Sequence, residues 1–214
     1  MSESAWLLLA MTLFAGAASP GPSLALVVRS TLNGGRLAGL RVALAHGFGV
    51  WLYALAVVFG VATLLIHIQW AMLLIQIVGA AFLCYLGTLM IRGGLKTGTE
   101  GQPLQEQQAV SAAPTRYVID GFLIVFLNPK IMIFFLAVFS QFLTQDQTLG
   151  TQIAAATLAG LIDGVWYALV CALVSFGGFG VLLQRYAGPI DVFFGVILWA
   201  ISLTILAGLV LVAV

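Results

Sequence analysis

Six apolar runs fill most of this chain, at about 5–28, 42–66, 70–91, 117–140, 153–176 and 189–213. A hydrocarbon core about 30 Å thick takes roughly 20 apolar residues as a helix, so each run is long enough to cross it. In lipid every backbone polar group must be satisfied internally, and continuous apolar runs do this as helices. Charged residues make up 7% of the chain and mean hydropathy is +1.15, where a soluble domain carries roughly 25% charged residues. Little remains for a folded part in water, which argues against an enzyme working there. A net charge of +1 gives no footprint for nucleic acid.

Two of the runs are interrupted by proline, at matching places in the two halves. The first contains Ser19-Pro20-Gly21-Pro22-Ser23 and the fourth contains Asn128-Pro129-Lys130. Proline removes a backbone donor and clashes with the preceding turn, which predicts two short helices around each break. A break inside the membrane is tolerated where it is buried in protein or lines a wet cavity. At 1.5 Å per residue, Pro20 lies about 22 Å along its run and Pro129 about 18 Å along its own. The second half-helix of each then presents its N-terminus near the membrane middle, where unpaired N–H groups and the helix dipole receive a carboxylate. Matched broken segments of this kind point to the central site of a secondary transporter.

The few charges set an orientation. Alternating the connections between two sides puts Arg29, Arg36, Arg41, Arg92, Lys96, Arg116 and Arg185 on one side and no Lys or Arg on the other. The positive-inside rule makes the first side cytoplasmic and leaves both termini outside. The first run resembles a signal peptide at Ala15–Ser19. However, Met1-Ser2-Glu3-Ser4 lacks a positive n-region and the run continues to Val28, so it is read as a retained helix. Cys84 and Cys171 fall inside apolar runs without ligand spacing and read as packed thiols.

The chain divides into residues 1–92, a polar cytoplasmic linker at 93–116, and residues 117–214. Three spans in each half invert the second half relative to the first. Gly49-Val50-Trp51 with Tyr53 is echoed by Gly164-Val165-Trp166-Tyr167, and Gly79 by Gly195. The predicted fold is an all-α membrane protein. Its six transmembrane helices form two inverted three-helix repeats, with helices 1 and 4 broken at the proline motifs.

Asp163 stands mid-span, where an ionised side chain costs about 2.5–3.5 kcal/mol. Gly160-x-x-x-Gly164 around it allows close helix approach, and Tyr167 lies one turn on along the same face. Such an acid suits proton carriage, or the holding of an ammonium group; a protonated structural aspartate is the other reading. His46 precedes the first Gly-Val-Trp element as Asp163 precedes the second. It shares a proton path with Asp163 or serves as a hydrogen-bonded structural histidine. Lys130 either complements a substrate carboxylate, pairs with Asp163, or belongs to a structural Asn-Pro-Lys turn. Asn128 bonds freed backbone groups or substrate. Asp120 and Asp191, near span ends, read as hydrated interface acids.

These motifs resemble the lysine exporter / homoserine–threonine resistance (LysE/RhtB) family. The resemblance covers nearly the whole chain. It includes Ser19-Pro20-Gly21-Pro22, Gly35-Arg36-Leu37-Ala38-Gly39, the glycine-framed stretch Gly79–Gly87, Gly121-Phe122, Asn128-Pro129-Lys130, Phe134-Phe135 and Gln141-Phe142. Ser140 stands where members often have proline, and His46 where a small residue is common. The resemblance implies a multi-pass exporter of amino acids in a prokaryotic inner membrane, driven by the proton-motive force.

The resulting expectation is export of small neutral amino acids by proton antiport. Ser19, Pro20, Gly21, Pro22, Ser23, Asn128, Pro129, Lys130, Asp163 and Tyr167 are expected to bind substrate, and Asp163 and His46 to couple protons. The partners are then the amino acid, protons, the lipid bilayer and, as an open question, further copies of the chain. No cofactor or metal site is predicted. The alternative is a metal-cation exporter of similar architecture, against which a single central acid counts, because hard cations take several oxygen ligands.

Overall fold

The computed structural model describes residues 1–19, 21–67, 69–97, 113–143, 147–176 and 179–213, so Pro20 and most of the expected linker lie outside the described residues. Among those described, the chain is entirely helical outside short connections. In order, the helices are α1 (Glu3–Ala18), α2 (Pro22–His67), α3 (Gln69–Thr97), α4 (Pro114–Leu127), α5 (Pro129–Phe142), α6 (Leu149–Ser175) and α7 (Phe179–Ala213). Four of them, α2, α3, α6 and α7, contain stretches long and apolar enough to cross a membrane. The α4–α5 pair, bent by 60° at its break, makes a fifth if it is one span.

The expected interruption at the first proline motif is present. α1 stops at Ala18, Ser19 turns to extended backbone, and α2 starts at Pro22. The expected connection at 29–41 is present but short: two helical segments within Pro22–His67 meet across a kink at Gly35, where alone the dihedrals are non-helical (φ 77, ψ 176). Leu and Arg supply six of the thirteen residues of this stretch and are good helix formers, so one residue makes the whole turn. Those dihedrals belong to a region that is essentially glycine's alone, with a cost of about 1–3 kcal/mol for other residues. A Cβ at Gly35 would meet nothing within 4 Å, so sterics with neighbours add no cost. Gly35→Ala is therefore expected to lose about 1–3 kcal/mol through backbone strain alone. Thermal melting in detergent measures it; an unchanged midpoint refutes the role of the turn.

α2 packs chiefly on α6 and α4, and α3 on α7. The close approaches occur at glycines. A Cβ on Gly47 would lie 2.7 Å from the Gly164 Cα, and one on Gly87 would lie 2.7 Å from the Gly195 carbonyl oxygen, as would one on Gly195 from that of Gly87. Without a hydrophobic drive between helices in lipid, such small-residue seams supply the packing. The inner core gathers Leu9, Leu13, Val50, Leu83, Val138, Phe139 and Leu198. Large apolar side chains such as Leu7, Leu37, Leu161, Val165 and Phe193 are exposed, as lipid contact requires.

Candidate functional site

The two broken helices meet at one cavity. Ser19 and Ser23 from the first break, Asn128 and Lys130 from the second, and His46, Asp163 and Tyr167 from α2 and α6 line it. Leu13, Phe134 and Phe135 supply apolar wall. Gly21 and Pro22 line it as well, whereas Pro20 lies outside the described residues.

Each break is closed by its own polar groups. The Ser19 N–H donates to the Ala15 carbonyl at 3.1 Å, ending α1. Ala25 N–H donates to the Gly21 carbonyl at 3.0 Å, starting α2, where Pro22 at the first position forfeits no bond. At the second break, Pro129 again occupies the first helical position, and Asn128 caps α5 by accepting from the Lys130 N–H at 3.0 Å through its side-chain oxygen. Asn128 thus serves freed backbone, one of its two expected roles. The breaks are tied to each other by Lys130, whose Nζ donates to Ser19 Oγ at 2.7 Å.

His46 and Asp163 form a hydrogen bond, Nδ1 to Oδ2, between α2 and α6. His46 is 1% exposed and Asp163 is 7% exposed. Tyr167, also buried, sets its ring edge to face against the imidazole, centroids 4.9 Å apart. The pair exists because Gly47 and Gly164, each the next residue in its chain, let the backbones approach. His46 Nε2, buried in the cavity wall, has no hydrogen-bond partner among the described residues. Buried polar atoms in that condition are costly unless something binds them.

Several side chains depart from what the sequence suggested. Lys130 bonds Ser19, and Asp163 pairs with His46 instead of with Lys130. Asp191 is not a hydrated interface acid: it is half-buried, and its Oδ1 is buried without a hydrogen-bond partner among the described residues. Asp120 does stand in solvent, 3.7 Å from Arg116. Missed altogether was a seam between α3 and α5, where Gln76 Nε2 donates to the Ser140 carbonyl at 3.1 Å and Gln141 Nε2 to the Gln76 carbonyl at 2.7 Å. Glutamine inside an apolar run was the available signal. Asp191 had one too, since it shares a helical face with the apolar Phe194 and Leu198.

Apolar helices of membrane-crossing length around a polar cavity at two broken helices define a membrane translocator. Comparison with known sequences agrees. The family described as "LysE type translocator" matches residues 14–208. The chain belongs to that family. Among its relatives are the threonine efflux protein of Escherichia coli K12, 28% identical over 192 residues covering 89% of this chain and 91% of the relative. That of Salmonella typhi is 27% identical over 184 residues, covering 83% and 85%. The membrane protein YrhP of Bacillus subtilis is 24% identical over 189 residues, covering 83% and 90%. No solved structure gave a significant match.

Proposed function

We propose that this chain exports a small neutral amino acid, threonine or one of similar size, across a prokaryotic inner membrane in exchange for protons. The observation that carries this reading is the charge arrangement of the cavity. An ammonium (Lys130) stands at the two helix breaks, and an acid–imidazole pair (Asp163–His46) stands in the wall of the same cavity. A zwitterion presents the complementary charges. Its carboxylate meets Lys130 and the first-turn amides of α2, which no preceding carbonyl can reach. Its ammonium meets Asp163.

Antiport follows from the same groups. Facing outward, a proton taken up by the Asp163–His46 pair neutralises the acid and releases the cargo ammonium. Facing inward, the pair gives up that proton and receives the next cargo. One neutral molecule leaves as one positive charge enters, so both the pH gradient and the membrane potential drive export. Six spans in two inverted repeats, with both termini outside, are part of this reading. The Gly47–Gly164 and Gly87–Gly195 approaches support it, because each joins a helix of the first half to the corresponding helix of the second. Rocking of one half against the other then exposes the cavity to each side in turn. Among the described residues no group of three His, Cys, Asp or Glu side chains is placed to hold a metal ion, which disfavours the cation alternative.

The test is efflux of labelled threonine and other neutral amino acids from loaded proteoliposomes as the outer medium is acidified. Acidification is expected to accelerate export of at least one of them. Acceleration of none refutes the reading, and acceleration of divalent cations alone transfers it to metal export.

A further inference from the structure

Two helices give the cavity much of its apolar wall. Leu13, Gly16 and Ala17 stand at i, i+3 and i+4 along α1 and share one face, and Lys130 and Phe134 stand at i and i+4 along α5. That spacing puts the Phe134 ring one turn beyond the ammonium on the same side of its helix. The two faces meet at Gly16. A Cβ there would lie 2.7 Å from Phe134 Cε1, 3.1 Å from Cε2 and closer still to Cζ, so the ring tip occupies the space a side chain would take. Phe134 is buried. Phe135 stands edge-on to it with centroids 5.6 Å apart and is itself stacked on Phe139 at 5.7 Å. Aromatic neighbours and a bare stretch of helix backbone together fix where the Phe134 ring stands. The free space in the cavity is about 40 Å³. A water takes about 10–15 Å³ of such space, so there is room for roughly three, and one ring or methyl group of the wall is a large fraction of it.

We propose that Phe134, seated on Gly16, sets the upper size of the side chain that the cavity accepts from its cargo. The inference rests on the exporter reading above and specifies which neutral amino acids that site takes. With the cargo's carboxylate at Lys130 and its ammonium at Asp163, what remains of the molecule is its side chain. Phe134 is the large wall group one turn from Lys130 and meets that side chain. Protein interiors are close-packed, so the wall yields little to a carbon too many. One methylene more or less in an apolar pocket changes discrimination by about ten- to two-hundredfold. Phe134 is thus the specificity-determining residue. Gly16 is a positioning residue that acts through it, because only a position without a Cβ lets the ring lie back against α1. A methyl group at Gly16 drives the ring off α1 and into the free space.

Efflux of labelled alanine, threonine and leucine from proteoliposomes at matched protein levels tests this through ratios of efficiency, the maximal rate over KM. A merely structural defect lowers all three together and leaves the ratios alone. Phe134→Leu, which removes the ring tip and keeps the wall apolar, is expected to raise the leucine-to-threonine ratio about tenfold or more. Gly16→Ala is expected to act the other way and lower the threonine-to-alanine ratio severalfold. In a Phe134→Leu background, Gly16→Ala is expected to leave that ratio where Phe134→Leu alone puts it, because leucine lacks all three ring atoms that crowd Gly16. Unmoved ratios in either single variant, or a Gly16→Ala effect that persists in the double variant, overturn the proposal. If Phe134→Leu fails to insert, the ratio in Gly16→Ala decides alone. A wild type that exports none of the three refutes the exporter reading and the size limit with it. Wild-type export with unmoved ratios in the variants refutes the size limit only.

Discussion

Asp163→Asn is expected to insert and fold like the wild type and yet to lose proton-driven efflux by roughly ten- to a hundredfold. The factor corresponds to the roughly 1.5–3 kcal/mol carried by a hydrogen bond to a charged group. Folding survives because the amide keeps the size of the side chain and its hydrogen bond to His46 Nδ1. Transport fails because asparagine neither releases a proton nor presents a full charge to an ammonium group. Exchange of threonine for threonine, which needs no net proton movement, divides the two roles. It survives in Asp163→Asn if the charge serves coupling alone, and disappears if Asp163 also holds the cargo. Wild-type efflux under an imposed pH gradient would remove Asp163 from the mechanism.

The α2–α6 seam predicts opposite outcomes for two neighbouring glycines. A Cβ on Gly47 would stand 2.7 Å from the Gly164 Cα and 3.0 Å from the Gly160 carbonyl oxygen, both backbone atoms that cannot swing aside. Gly47→Ala is therefore expected to cost about 1–3 kcal/mol by overpacking. It should also impair efflux, because the shift separates His46 from Asp163. A Cβ on Gly164 would lie 3.6 Å from the Gly47 Cα, an ordinary contact. Gly164→Ala is expected to be neutral or to stabilise by up to about 1 kcal/mol, the helical preference of alanine over glycine. Melting midpoints in detergent measure both, and equal shifts in the two variants would refute this account of the seam.

Local chemistry made part of this architecture legible. Proline cannot donate to a helix, so the breaks at Ser19–Pro22 and Asn128–Pro129 were evident from residue type alone. The same holds for Asn128, a good cap placed directly before a proline. Gly35 shows the limit of that reasoning. The stretch 29–41 is polar enough to pass for a long loop, and only the backbone reveals that the single residue Gly35 joins the two helical segments. Asp191 shows a second limit. Its place near a span end suggested hydration, and residue type alone does not tell that the packing half-buries it.

The sequence by itself determined that the chain is helical and membrane-embedded, because apolar length and backbone hydrogen bonding leave no other arrangement in lipid. It also determined where two helices break. Which polar groups share a site was decided by tertiary structure. His46 meets Asp163 across 117 positions, and Lys130 meets Ser19 across 111. No period or spacing spans such distances. Those meetings depend on how closely helices pack at Gly47, Gly160 and Gly164, and on how far each chain turns at its break. Both are properties of backbones in contact, which a linear pattern of side chains constrains but does not specify.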